Sequence, residues 1–165
     1  MKRKNPPNKS PLFKILGDTM GNNQGGAAAG GEQTVDSMML DSIGCTANVI
    51  LIDNMKKLYI GNAGDSRCVM SRAGKEVSLS FDHKPENEEE RSRIEKAGST
   101  ITDGRVDGNL NLSRSLGDLK YKTNKKLKPE EHPVTAFPDT YVFDITPQDE
   151  FIVMGCDGIW ETKDN

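Results

Sequence analysis

From residue 43 onward the chain alternates short apolar runs with turn-forming residues. Ala47-Asn48-Val49-Ile50-Leu51-Ile52 reads as a strand and Asp53-Asn54 as a turn. Lys57-Leu58-Tyr59-Ile60-Gly61-Asn62-Ala63 is then the returning strand of a hairpin. A second hairpin is expected from residues 67–71 and 76–80, turning at Ala73-Gly74. Residues 87–97 give the one clear helix, with Asn87 as its cap, Glu90 completing a capping box and Gly98 ending it. Its composition is strongly charged, and Ile94 and Ala97 are its main apolar contacts, so it is predicted to lie on the surface of a sheet. Short strands resume around Thr100-Ile101-Thr102 and residues 110–112, 140–145 and 150–155. Of these, Phe151-Ile152-Val153-Met154 reads as a buried strand. Many strands and few helices predict an α+β fold, an antiparallel β-sandwich with helices outside.

The first forty residues have a different texture. Residues 2–9 are basic and Pro-rich, and residues 21–31 are a Gly/Ala-rich, low-complexity stretch, which predicts a flexible segment over residues 1–40. A phosphate-cradling loop would need a strand before the glycines and Lys-Ser/Thr after them, and neither is present. Residues 41–165 then form the structured part. At 165 residues the chain is sized for one domain. A net charge of −3, from 22 basic and 25 acidic residues, gives no basic excess to suggest nucleic acid. Hydrophobic residues make up only 34%, which puts a complete core in doubt. Cys45, Cys68 and Cys156 fit no zinc spacing, and Cys45 and Cys156 sit in apolar surroundings. They are read as reduced thiols of an intracellular protein, cytoplasmic or nuclear. No apolar run approaches the ~20 residues needed to span a bilayer.

Acidic turns punctuate the β text. Gly64-Asp65-Ser66-Arg67 follows the second strand, and Asp82-His83-Lys84-Pro85 precedes the helix. Ser113-Arg114-Ser115-Leu116-Gly117-Asp118 follows another strand, and Asp157-Gly158 closes the last. Carboxylates at strand ends suit hard divalent cations, which prefer oxygen ligands. Taken singly, each also reads as a solvated turn residue.

The wording and order of these blocks resemble the metal-dependent protein serine/threonine phosphatases of the protein phosphatase 2C (PPM) family. The matching text is Gly44-Cys45-Thr46-Ala47, Asn62-Ala63-Gly64-Asp65-Ser66-Arg67, Asp82-His83-Lys84-Pro85, and Gly104-Arg105-Val106-Asp107-Gly108-Asn109-Leu110. It continues with Ser113-Arg114-Ser115-Leu116-Gly117-Asp118 and with Asp149-Glu150-Phe151 through Trp160. Blocks in this order over roughly 120 residues are far more specific than any one short motif. The resemblance implies a partial β-sandwich flanked by helices, Mg2+ or Mn2+ as cofactor, and hydrolysis of phosphoserine and phosphothreonine proteins by a metal-activated water. By similarity Asp157, followed by Gly158, matches a core metal ligand. Asp65 matches a carboxylate for an additional, weaker metal, and Glu161 stands where the family usually has Asp for that metal. Asp118 matches a carboxylate near the site that acts behind the ligands. Arg105 and Arg114 are expected to pair with carboxylates and stiffen strand ends. Asp82 and His83 are expected to satisfy backbone groups in a structural turn, and His132 reads as a loop residue. The lysine-rich residues 120–128 fall in a variable surface segment of the family.

The family's upstream phosphate-gripping Arg, its acidic pair and its Asp-Gly-His-Gly-Gly block have no counterpart before residue 43. Asp164-Asn165 has the letters of the closing Asp-Asn block but lies only seven residues after Asp157. The chain is therefore read as a central part of the phosphatase domain that binds divalent metal weakly, with no complete catalytic set. The alternative is a catalytically silent, phosphatase-like binding protein.

Overall fold

The computed structural model describes residues 41–165, and the segment expected to be flexible, residues 1–40, lies outside them. Two antiparallel three-stranded sheets carry the architecture. β1 (Gly44–Cys45) is short. β2 (Ala47–Asp53) and β3 (Lys57–Ala63) form the expected hairpin, and β4 (Arg67–Arg72) and β5 (Lys75–Ser78) form the second. Both turns have two consecutive left-handed residues, Asn54 and Met55 in the first and Ala73 and Gly74 in the second. That geometry matches the right-handed twist of a tight hairpin. After helix α1 (Glu88–Lys96) come β6 (Ile101–Thr102), β7 (Arg105–Val106) and β8 (Leu116–Gly117), followed by β9 (Asp139–Asp144), β10 (Asp149–Gly155) and the one-turn helix α2 (Asp157–Trp160). The sheet orders are β2-β3-β9 and β10-β4-β5.

The two sheets meet through Leu58 and Ile60 of β3, Cys68 and Met70 of β4, and Leu79, with Ile50, Val77, Phe143 and Ile152 packed around them. This is the expected sandwich. A second apolar cluster (Ile94, Val106, Tyr121 and Val134) lies under α1. The helix therefore covers the β6–β7 loop region rather than a face of either main sheet. Gly98, at a φ of 88°, ends α1 as expected, and the Ser99 N–H reaches back to the Ile94 carbonyl.

Four expectations about local structure are corrected. Asn87 makes no side-chain cap on α1, because its amide donates instead to the Asp82 carbonyl at 2.8 Å. Residues 110–112 form no strand, since Leu110 makes a single bridge to Val106. β10 is not a buried strand: it lies at a sheet edge, and Phe151 is 61% exposed. Apolar letters mark a strand, but burial depends on what packs above it, and none of the described elements covers that face. Cys45 and Cys156 are exposed free thiols, and only Cys68 sits in the core. The first ends β1 and the second directly follows β10.

Ile60 is fully buried between the sheets. Ile60→Ala is expected to destabilise the fold by about 2–5 kcal/mol through lost burial and the cavity left behind. Urea denaturation followed by circular dichroism would measure it, and a loss below about 1 kcal/mol would contradict this packing.

A candidate metal-facing sheet end and the ion network behind it

The turn between β3 and β4 is built from hydrogen-bonded polar side chains. Asn62, fully buried, donates its amide to the Gly64 carbonyl at 3.2 Å and the Phe81 carbonyl at 2.9 Å. Asn48 links Asn62 and Ser80 at 2.9 Å each. Gly64 has a φ of 117°, and a Cβ there would lie 2.4 Å from the Thr46 methyl, so no larger residue fits. The Gly64 N–H donates to His83 Nδ1 at 3.1 Å, and the His83 N–H returns to the Gly64 carbonyl at 3.0 Å. Nδ1 also lies 3.1 Å from the Gly64 carbonyl, and Nε2 faces Asp139 Oδ2 at 3.3 Å. His83 thus satisfies backbone as expected. Asp82 does not: its carboxylate makes a bidentate pair with Arg67 at 2.9 and 3.0 Å.

This turn delivers Asp65, which is 4% exposed and ion-paired with Lys84. The β10–β4 register brings Asp157 to the same end of the sandwich. Gly155 pairs with Arg67, and two further residues on each strand lead to Asp157 and Asp65. Asp157 opens α2, and its Oδ1 accepts the Gly158 N–H at 2.9 Å. Gly158 is exposed at this turn, and so is Glu161, whose N–H closes on the Asp157 carbonyl at 2.8 Å. Trp160 pins the turn by donating Nε1–H to the Gly155 carbonyl at 2.7 Å, and Arg67 lies 5.3 Å over its ring. Arg67 also donates to Asn165 at 2.7 Å, so one guanidinium ties the Asp82 turn to the Asp157 turn.

Asp118 directly follows β8. It is buried in a left-handed conformation and accepts the Ser115 hydroxyl at 2.6 Å. A Cβ on Gly44 would lie 2.0 Å from the Asp118 carboxylate, so the glycine of β1 makes room for it. Lys122 secures the same loop by donating to the Ser115 carbonyl at 2.8 Å and to that of Gly117.

Arg114 is the centre of a buried ion network. It donates to Glu90 through Nη2 at 2.6 Å and Nε at 3.1 Å, and through Nη1 to Asp139 at 2.8 Å and the Phe137 carbonyl at 3.1 Å. Glu90 also accepts Arg93 at 2.8 Å and the Ser113 hydroxyl at 2.5 Å. Burial opposes ionisation of Glu90, but the hydrogen bonds and charge of Arg114 outweigh it and hold its carboxyl down at about 2. Asp139 is likewise held far below the ordinary carboxylate range: burial opposes this, and His83 and Arg114 overcome it. The expected carboxylate pairing of Arg114 is present, whereas Arg105 donates to the Asn109 carbonyl instead. His132 is a loop residue as expected, and a buried one, whose carbonyl accepts Arg93 at 3.0 Å.

Sequence reading placed Glu90 in a capping box and did not single out Asp139. The signal for Glu90 was its spacing: it stands four residues before Ile94 on one helix face, and the face that buries Ile94 also buries Glu90.

A protein phosphatase 2C family model matches residues 20–165. The chain belongs to the protein phosphatase 2C family. It is 59% identical over 119 residues to probable protein phosphatase 2C 3 of Paramecium tetraurelia, a match covering 72% of this chain and 39% of that protein. Its structure is similar to a Toxoplasma gondii phosphatase, at a TM-score of 0.60 and 42% identity over 64% of this chain and 33% of the other. A C. elegans sex-determining protein aligns at a TM-score of 0.69 and 26% identity, over 96% of this chain and 36% of the other. The chain spans about two fifths of the length of curated relatives that it matches. Protein phosphatase 2C enzymes are metal-dependent. Among the described residues, however, no three His, Cys, Asp or Glu side chains converge to hold an ion.

The folded Glu90 carboxyl lies below its unfolded value, so its stabilisation is present above about pH 4.5 and is lost as pH falls toward about 2. Urea midpoints measured across that window are expected to fall steeply in the native chain and less steeply in a Glu90→Gln/Arg114→Met variant. At pH 7, Arg114→Met alone, which leaves buried Glu90 to Arg93 and Ser113 and removes its bonds from Arg114, is expected to cost about 1.5–3 kcal/mol.

Proposed function

We propose that this chain supplies the central part of a metal-dependent protein serine/threonine phosphatase that hydrolyses phosphoserine and phosphothreonine in proteins. The supporting observation is the register of β10 on β4, which sets Asp157 at the same sheet end as Asp65 in a chain of the protein phosphatase 2C family. In this reading Asp157, Asp65 and Glu161 face Mg2+ or Mn2+. The donor chemistry fits a hard cation: all three groups offer carboxylate oxygens, and buried Asp65 already holds a cation, the Lys84 ammonium. When bound, such ions supply a nucleophilic water at neutral pH and offset charge on the phosphate oxygens.

The chain's own residues then have distinct tasks. Asp157 presents its carboxylate from a turn pinned by Trp160 and Arg67, and the Gly158 N–H donates to that carboxylate at 2.9 Å. Asp65 is aimed by the Asn62–Gly64–His83 hydrogen bonds. Asp118 and Arg114 act behind these groups. Asp118 fixes its own loop, and Arg114 holds Asp139 against His83, which in turn holds Gly64.

Hydrolysis of p-nitrophenyl phosphate with Mn2+ tests the proposal in a protein that joins this chain to the blocks it lacks, taken from a family member. Turnover that requires Mn2+ and falls about a hundredfold or more in Asp157→Ala is the expected result. Mn2+-independent turnover, or none from the joined protein, would favour the silent binding protein.

A further inference from the structure

We propose that Lys84 is a built-in competitor for the metal position at Asp65, its ammonium occupying the carboxylate until a divalent ion displaces it. The inference rests on the reading above that Asp65 faces a metal, and it adds a regulating residue to that site.

Three observations support it. The two partners differ in burial: Asp65 is 4% exposed, whereas the Lys84 side chain is 36% exposed. The anion is thus fixed in the fold, and the cation hangs on a flexible stem that reaches solvent and can swing away. The backbone that delivers Lys84 is also clamped. His83, just before it, is bonded to Gly64 at both its main-chain N–H and its ring Nδ1, and Pro85, just after it, is buried and restricts Lys84 to an extended backbone. The same His83–Gly64 contact therefore positions both partners. Finally, the neighbouring guanidinium cannot take this role, because Arg67 is engaged by Asp82, Asn165 and the Trp160 ring.

The chemistry follows from the charges. A buried carboxylate with no counter-ion would be costly. Lys84 lowers that cost when no metal is bound, and it makes any metal pay the loss of the ion pair. Affinity at Asp65 is thereby weakened, and the position becomes sensitive to divalent-ion concentration. Neutralising Lys84 should tighten divalent binding on the order of fivefold, the value of a partly exposed ion pair.

Two measurements on the 165-residue chain test this. Mn2+ binding, followed by the paramagnetic resonance signal of free Mn2+, is compared among the native chain, Lys84→Met, Lys84→Met/Asp65→Asn and Lys57→Met. Lys57 pairs with Asp144 on the exposed surface and controls for the change in net charge. Tighter binding in Lys84→Met alone, abolished by adding Asp65→Asn, is the expected result. Equal tightening in Lys57→Met, or none in Lys84→Met, would overturn the inference. In the second measurement, the rate of Lys84 acetylation is read by mass spectrometry. Mn2+ should raise it several-fold in the native chain and leave the already fast rate of Asp65→Asn unchanged. If Mn2+ binds, and Asp157→Asn weakens it, while Lys84 reactivity stays constant, the metal-facing reading stands and the competitor fails. If no variant binds Mn2+, both fail.

Discussion

The guanidinium of Arg114 holds together parts of the chain that lie far apart in sequence. Its donors reach Glu90 in α1, Asp139 at the start of β9 and the Phe137 carbonyl before it. From Asp139 the chain of contacts runs through His83 to Gly64, and so to the turn that carries Asp65. A buried pair of this kind adds little net stability compared with a well-packed apolar cluster, but its loss strands a charge. Its value here is geometric. Bidentate bonds admit a narrow range of orientations, so the helix, the β9 entry and the acidic turn settle into one arrangement.

The sandwich itself has a different basis. Leu58, Ile60, Cys68, Met70 and Leu79 close the space between the sheets, while polar side chains such as Asn62 and Ser80 organise its edge. The apolar centre sets which sheets face each other. The polar edge sets where carboxylates emerge. These are separate demands on the sequence, which is why the site-bearing turns are rich in Asn, Ser, Gly and Asp although they border a dry core.

Both hairpins were legible because their determinants are local: alternating apolar runs meet at turn residues that tolerate a left-handed backbone. The end of α1 was legible for the same reason, at Gly98. The exposure of β10 was not, since Phe151 and Val153 would read the same way under a packed layer or at an open edge. Glu90 fitted a capping box by its letters, and although it shares the Ile94 face of the helix, its partner Arg114 stands 24 residues further on. The carboxylates of the candidate site were visible as types. That Asp65 and Asp157 share a sheet end depends on the pairing of β4 with β10, and that Asp65 holds Lys84 depends on a turn 19 residues away. Pairings over such separations leave no local periodicity to read.

The open edges of the sandwich bear on how this chain behaves as a material. Val49 and Leu51 on β2 and Phe151 and Val153 on β10 present apolar surface, and among the described residues both strands lie at sheet borders with one hydrogen-bonding side unpaired. An edge of that composition is a template for another strand. Were a second chain to add a strand there, folding would be linked to mass action and the melting temperature would depend on concentration.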